Sequence, residues 1–249
     1  MLLNEICDSF LPQAAEHRAD DVRIGLGYTA VLLDNGRCGL AYTFRHETGG
    51  GCCAFPEAGS ISGRPATELL SYANSTDVIG SAIALATANA LADPPMDSIS
   101  DGMKLMSIDA EDEAGMVGFF PPLVEPLRRQ FKALHIFDRE PNHGQKVLPE
   151  EAQAEILPRC QVVIITATSL LNRTLDNLLG YCTNAREVML LGPSTPYAPE
   201  VLAAKRVTIL SGTRVTDAAR ALRVISEGGG TMNLMPAMRK FSVRIRSSK

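Results

Sequence analysis

The second half of the chain alternates in a way that few folds accommodate. Short apolar, β-branched runs occur at 116–120, 133–137, 162–166, 188–191 and 207–210, and helical patterns fill the gaps at about 123–130, 150–157, 174–181, 199–204 and 216–227. A strand–helix–strand rhythm of this kind predicts parallel strands joined by right-handed crossovers. The expected architecture is therefore α/β, a doubly wound, Rossmann-like sheet. Ligands of such sheets bind beyond the carboxyl ends of the strands, at the point where strand order reverses, so the residues that follow each run deserve inspection. At the end of the chain Phe241, Val243 and Ile245 alternate with Ser242, Arg244 and Arg246. That pattern predicts an edge strand whose basic side chains form a solvated face that guards the edge.

The first half reads differently. It opens with a helical stripe, Leu3, Ile6 and Phe10, and continues with strand-like runs at 22–33 and 37–44 joined by Asp34-Asn35-Gly36. Asn-Gly tolerates the positive φ angles of tight hairpin turns. A loop with Gly49-Gly50-Gly51 and Cys52-Cys53 precedes a short helix at 65–72 and a longer one at about 76–91, for which Ser75 is the expected N-cap. The interior of the longer helix, VIGSAIALATANAL, is full of small residues. It is expected to lie sandwiched between neighbours in an α+β domain. The Pro-, Asp- and Ser-rich stretch 93–113 has weak periodicity and reads as a connector. The expected division is an α+β domain over 1–108 and a Rossmann-like domain over 109–249.

Composition narrows the function. The 249 residues carry a formal net charge of -4 and no tryptophan, which argues against nucleic acid, since phosphate backbones require clustered cations. No apolar run approaches the ~20 residues that cross a membrane, and Glu5 and Asp8 interrupt the apolar N-terminal stretch, unlike a secretory signal. Cys7, Cys38, Cys52, Cys53, Cys160 and Cys182 lack the spacing of a disulfide framework. They are read as reduced thiols of a cytoplasmic protein.

The predicted strand exits carry small polar groups. The first leaves through GMVGFFPPL, where a dinucleotide site would need G-x-G-x-x-G. The rings of Phe119 and Phe120 stand where a pyrophosphate loop needs space, so NAD and FAD are disfavoured, although Gly118 permits close approach of a ligand. Asp138 ends the second strand, where an acidic residue can accept hydrogen bonds from ribose hydroxyls, which keeps nucleosides open. The third exit holds Thr166, Thr168 and Ser169, and Asn172 is a candidate cap for the next helix. The fourth is Gly192-Pro193-Ser194-Thr195-Pro196, a stiff turn with two hydroxyls. The fifth is Ser211-Gly212-Thr213-Arg214. No His–Ser or carboxylate pair stands in an obvious catalytic arrangement, and whether the chain is an enzyme stays open.

The segments GMVGFFPPL, VVIITATSLLNRTLDNLL, LLGPSTPYAPEVL and SEGGGT together resemble a bacterial and archaeal family described as "putative heavy-metal chelation". The first half, with IGLGYTAVLLDNGRCGLAYTF, GSISGRPATELLSY and IGSAIALATANAL, is similar to that family's N-terminal partner domain. The resemblance spans nearly the whole chain. It implies an enolase N-terminal-like domain, then a Rossmann-like domain distantly similar to methyltransferases, with a functional cleft between them. The matching ligand-binding candidates are Gly118, Phe119, Thr168, Asn172, Gly192, Pro193, Ser194 and Thr195, with Gly59, Ser60 and Asn89 from the first half. Ala167 departs from the family pattern, in which glycine is common after the third-strand threonine.

A metal site is sparsely encoded. There is no C-x-x-C, no H-x-x-x-H and no dense carboxylate cluster. Cys52 and Cys53, with Cys38 or His46, are the candidates for a soft heavy-metal ion. His143 reads as a solvent-facing loop residue and His135 as a satisfied sheet residue. The expected function is handling of a small molecule or metal chelate in the interdomain cleft. The alternative is a transferase that uses S-adenosylmethionine or another nucleoside cofactor. Direct sequestration of metal by thiolates is a further possibility, and the oligomeric state stays open.

Overall fold

The computed structural model describes residues 1–48, 54–95, 101–139 and 147–246. The first half contains α1 (Leu2–Ser9), α2 (Leu11–Ala14), the strands β1 (Ala19–Ile24), β2 (Tyr28–Leu33) and β3 (Cys38–Tyr42), then α3 (Ala66–Ser71) and α4 (Val78–Leu91). The strands form an antiparallel sheet in the order β1-β2-β3. The second half supplies β4 (Glu113–Val117), α5 (Pro121–Arg128), β5 (Ala133–Phe137), α6 (Gln153–Ile156), β6 (Val162–Thr166), α7 (Leu175–Tyr181) and β7 (Glu187–Leu191), followed by α8 (Pro199–Ala204), β8 (Ile209–Val215), α9 (Ala218–Ser226), α10 (Thr231–Leu234) and β9 (Met238–Arg244). These strands make a six-stranded sheet in the order β5-β4-β6-β7-β8-β9. All adjacent pairs are parallel except β8 with β9. The mixed α/β class expected from the strand–helix rhythm is the one observed.

Several boundaries differ from expectation. The run at 22–33 is two strands, because the chain reverses at Gly25-Leu26-Gly27. The Gly25 N–H donates to the Tyr28 carbonyl (2.9 Å), and a Cβ on Gly25 would stand 2.5 Å from the Ile225 carbonyl oxygen of α9. The first parallel strand begins at Glu113, so Phe119 and Phe120 lie beyond it. The last parallel strand runs on through Ser211 to Val215, because β9 pairs with it as far as Val215↔Met238. Ser211-Gly212-Thr213-Arg214 is therefore strand and not an exit. Asp77, not Ser75, caps α4. Its carboxylate accepts from the N–H groups of Ile79 (3.3 Å) and Gly80 (2.8 Å), and the Ser75 hydroxyl accepts from the Asp77 N–H. Arg244 is not simply solvated. It grips Glu187, which is fully buried, through two hydrogen bonds of 2.7 and 3.1 Å.

The strands of the large sheet are buried on both faces. Val162 and Ile164 face one cluster with α5 and the 103–108 connector, and Val163 and Ile165 face the other. The second cluster includes Leu3 and Ile6 of α1 and Ile83 and Leu85 of α4. The hydrophobic core thus runs without a break from the first half into the second. α4 is sandwiched as its small residues predict. A Cβ at Gly39 of β3 would overlap the Ala86 carbonyl oxygen and the Ala90 nitrogen, so only glycine lets helix and strand backbones meet there. The opposite face of the small sheet, through Tyr28, Ala30 and Leu40, packs on α9 and α10.

Candidate functional site

Strand order reverses at β4. The chain crosses from β4 to β5 on one side and returns to β6 on the other, so the carboxyl ends of β4 and β6 flank the switch point. Gly118 follows β4 with φ of +91°, and a Cβ there would lie 3.0 Å from the Thr166 Cβ. Glycine at this place lets the two exits close on each other. The Thr166 and Thr168 hydroxyls pair at 2.9 Å, and both residues are half-buried. Asp138, at the β5 exit, accepts the Phe119 N–H at its Oδ2 (2.7 Å). This hydrogen bond fixes the β4 turn and engages an oxygen that a ribose would otherwise approach. Gly118, Phe119, Asp138, Thr166 and Thr168 thus form one contiguous rim.

The segment after β3 is anchored at two of the strand exits. At one end the Tyr42 N–H donates to the Ser194 hydroxyl beyond β7 (2.9 Å). At the other end the Glu47 carboxylate meets Arg139 beyond β5 (2.5 Å), and Arg139 also donates to Glu150 (2.8 Å). Between β7 and β5 lie β6 and β4. The two anchors of the segment thus stand on either side of β6 and β4. The segment is not extended: the Arg45 N–H donates to the Thr43 carbonyl (2.9 Å) and the Glu47 N–H to the Phe44 carbonyl (3.0 Å). Tyr42 and Phe44 are in edge contact at 5.1 Å between ring centroids.

The Gly192-Pro193-Ser194-Thr195 turn serves the joint and does not open at the mouth of a cleft. Ser194 and Thr195 are each only 1% exposed. Ser194 holds Tyr42, and Asn89 of α4 donates both to the Leu40 carbonyl (2.7 Å) and to the Ser194 carbonyl (3.3 Å). The Thr195 hydroxyl is buried with no partner among the described residues. Gly192 supplies φ of +125° where a side chain would meet open space. Asn172 sits one turn before α7. Its Oδ1 accepts from the Thr174 N–H (3.3 Å) and hydroxyl (2.9 Å), and Thr174 occupies the N-cap position expected of Asn172.

Arg173 carried no signal in the sequence. It adopts φ of +62° and sends its guanidinium across to the Ala73 carbonyl (2.8 Å), the Ser75 carbonyl and the Ser81 hydroxyl (3.3 Å). These carbonyls end the turn after α3, where a cation complements the helix dipole. The β6 exit loop is thereby pinned to the first half of the molecule.

With this geometry in view, comparison with known proteins is informative. A family model described as "Putative heavy-metal chelation" (DUF364) matches residues 101–244, and a second with the same description (DUF4213) matches residues 7–92. The chain belongs to this family. It is 25% identical, across 98% of both chains, to "Uncharacterized protein MJ0500" of Methanocaldococcus jannaschii. Among solved structures it is similar to a DUF364 protein of unknown function from Pyrococcus horikoshii, with TM-score 0.85 and 24% identity over 98% of this chain and 100% of that one. It is also similar to a DUF364 protein of unknown function from Desulfitobacterium hafniense DCB-2, with TM-score 0.81 and 26% identity over 97% of this chain and 98% of that one.

The family description raises the question of metal donors. Cys52, Cys53 and His143 lie outside the described residues. Among the described residues, no three His, Cys, Asp or Glu side chains gather as a metal ion would require. Cys7, Cys38, Cys160 and Cys182 are buried, and burial pushes each thiol up to about 12, so none is a ready thiolate. His46 is exposed and accepts from Arg45 (2.9 Å). His135 is satisfied, as expected, by Glu113 at 2.9 Å. Gly59 and Ser60 lie on an exposed loop of the first half, where Arg64 binds the Ser60 carbonyl (2.8 Å) and hydroxyl (2.9 Å) along with Glu57 (2.5 Å) and Glu68 (2.9 Å). No hydrogen bond ties that loop to the rim among the described residues. No helix among the described residues is long and apolar enough to cross a membrane.

Proposed function

We propose that this protein binds a small molecule, or a heavy metal carried as a small-molecule chelate, at the carboxyl rim of β4 and β6 beside the 42–47 segment. The observation that carries this reading is the tethering of that segment at both ends, to Ser194 and to Arg139, on either side of the switch point. Gly118 brings the two exits together, and the paired Thr166 and Thr168 hydroxyls retain donor and acceptor capacity toward a ligand. Tyr42, Phe44 and Phe119 are half-buried and add apolar surface. The family description supports the metal part of the reading.

Native mass spectrometry of protein purified without chelators, combined with elemental analysis, tests the proposal. Wild-type protein should carry a small-molecule adduct, with or without metal, that Thr168→Val loses while its fold is retained. An adduct of unchanged occupancy in Thr168→Val would move the site elsewhere.

A further inference from the structure

We infer that this rim selects a ligand without a phosphate group: an uncharged or cationic molecule with hydroxyl or amine groups and an apolar or aromatic body. The inference rests on the reading of the rim as the ligand site, and concerns what that site accepts. Phosphate binding at the switch point of a doubly wound sheet depends on free backbone N–H groups at the first turn and on the N-terminus of the following helix. Here the Gly118 N–H donates to the Phe137 carbonyl (2.8 Å) and the Phe119 N–H to Asp138 (2.7 Å). α5 then begins with Pro121 and Pro122, which have no N–H to offer. The neighbouring exits are engaged in the same way. The Thr168 N–H turns back to the Thr166 hydroxyl (3.4 Å), the Gly192 N–H to the Ser211 carbonyl (3.0 Å), and the Thr195 N–H to the Gly192 carbonyl (3.0 Å).

Side-chain charge points the same way. Arg139 is held by Glu47 and Glu150, Arg214 by Asp93 (2.9 Å), and Arg173 by the carbonyls after α3. At the β5 exit, Arg139 is already shared between Glu47 and Glu150. A phosphate would have to compete with these carboxylates for the guanidinium that normally offsets its desolvation. The Thr166–Thr168 hydroxyl pair and the half-buried Phe119 ring beside Gly118 suit a hydroxylated or aminated ring or chain instead.

Saturation-transfer NMR on the full chain, with probe pairs that differ by one phosphate, tests this. Suitable pairs are adenosine and AMP, riboflavin and FMN, pyridoxine and its 5′-phosphate, and thiamine and thiamine monophosphate. At least one unphosphorylated member should bind, with its phosphorylated partner about tenfold weaker, a difference of about 1.4 kcal/mol. Thr168→Val should abolish the signal and Thr168→Ser, which keeps the hydroxyl, should restore it. Phosphorylated members that bind as well or better, and lose their signal in Thr168→Val, would overturn the selectivity while leaving the site in place. Binding indifferent to Thr168→Val, or saturation of no probe, would count against the rim as a small-molecule site altogether.

Discussion

The two edges of the large sheet are built from different chemistry. At the amino edge, two carboxylates, Glu187 and Asp112, are buried and paired. Glu187, 0% exposed, accepts from Arg244, from the Thr208 hydroxyl (2.6 Å) and from the Ser107 N–H (3.0 Å). Asp112 is clasped by Arg186, and Glu113 by His135. Together these bonds fasten the 101–112 connector to the sheet. At the carboxyl edge the groups are small hydroxyls, left-handed glycines and half-buried rings, and the ion pairs of Arg139 with Glu47 and Glu150 lie near the surface. A hollow of about 1020 Å³ opens at the amino edge, lined by Ser107, Asp109, Asp112, Glu113 and Arg186. Several of its charges are already engaged with one another. Paired charge marks where the fold is fastened, and residual hydrogen-bond capacity marks where a ligand can be held.

Substitutions at the two edges should therefore differ in kind. Glu187→Ala should produce the largest loss, about 3 kcal/mol in urea unfolding, because Arg244, the Thr208 hydroxyl and the Ser107 N–H all lose one buried acceptor. A loss below about 1 kcal/mol would show that the amino-edge network does not fasten the fold. Ser194→Ala removes the acceptor of the part-buried Tyr42 N–H and should cost about 1–3 kcal/mol. Its effect should appear as faster amide exchange over residues 40–47, and unchanged exchange there would break the proposed joint.

Acid should loosen the amino edge gradually. Burial pushes the Asp112 carboxyl up, but the Arg186 hydrogen bonds, the Asp109 N–H and the guanidinium charge outweigh it and hold the group below its ordinary 3.8. The His135 hydrogen bond, against the opposing effect of burial, holds Glu113 below its ordinary 4.5. A depressed carboxylate contributes stability above its unfolded value and loses it as pH falls through the folded value. Stability should decline below about pH 4.5, and less steeply in Asp112→Asn. An identical slope in that variant would remove Asp112 from the account. The smallest effect is expected for Thr195→Val, which deletes a buried hydroxyl that has no partner among the described residues. It should be neutral or stabilising by less than about 1 kcal/mol, and a clear destabilisation would mean that the hydroxyl is satisfied in solution.

What the sequence revealed follows the range of the forces involved. The strand–helix alternation, the Asn35-Gly36 turn and the small-residue helix are local patterns, and the fold bears them out. The extent of β8 was hidden because it depends on antiparallel pairing with a strand near the far end of the chain. Gly118, Thr166 and Asp138 could be located because doubly wound sheets place their exits predictably, but the engagement of Asp138 by the Phe119 N–H could not. Ser194 was noticed as a rigid hydroxyl, yet its partner Tyr42 lies 152 positions away. Arg173 left no trace, since a left-handed arginine that reaches another part of the molecule has no local pattern.

Hydrogen–deuterium exchange on protein as purified and after removal of bound small molecules by partial unfolding and refolding tests the central claim most directly. The account predicts that the as-purified form is protected in residues 42–47, 116–120 and 166–172, with no change over 103–113 or at 186. Protection confined to the amino-edge segments, with the rim unaffected, would contradict it.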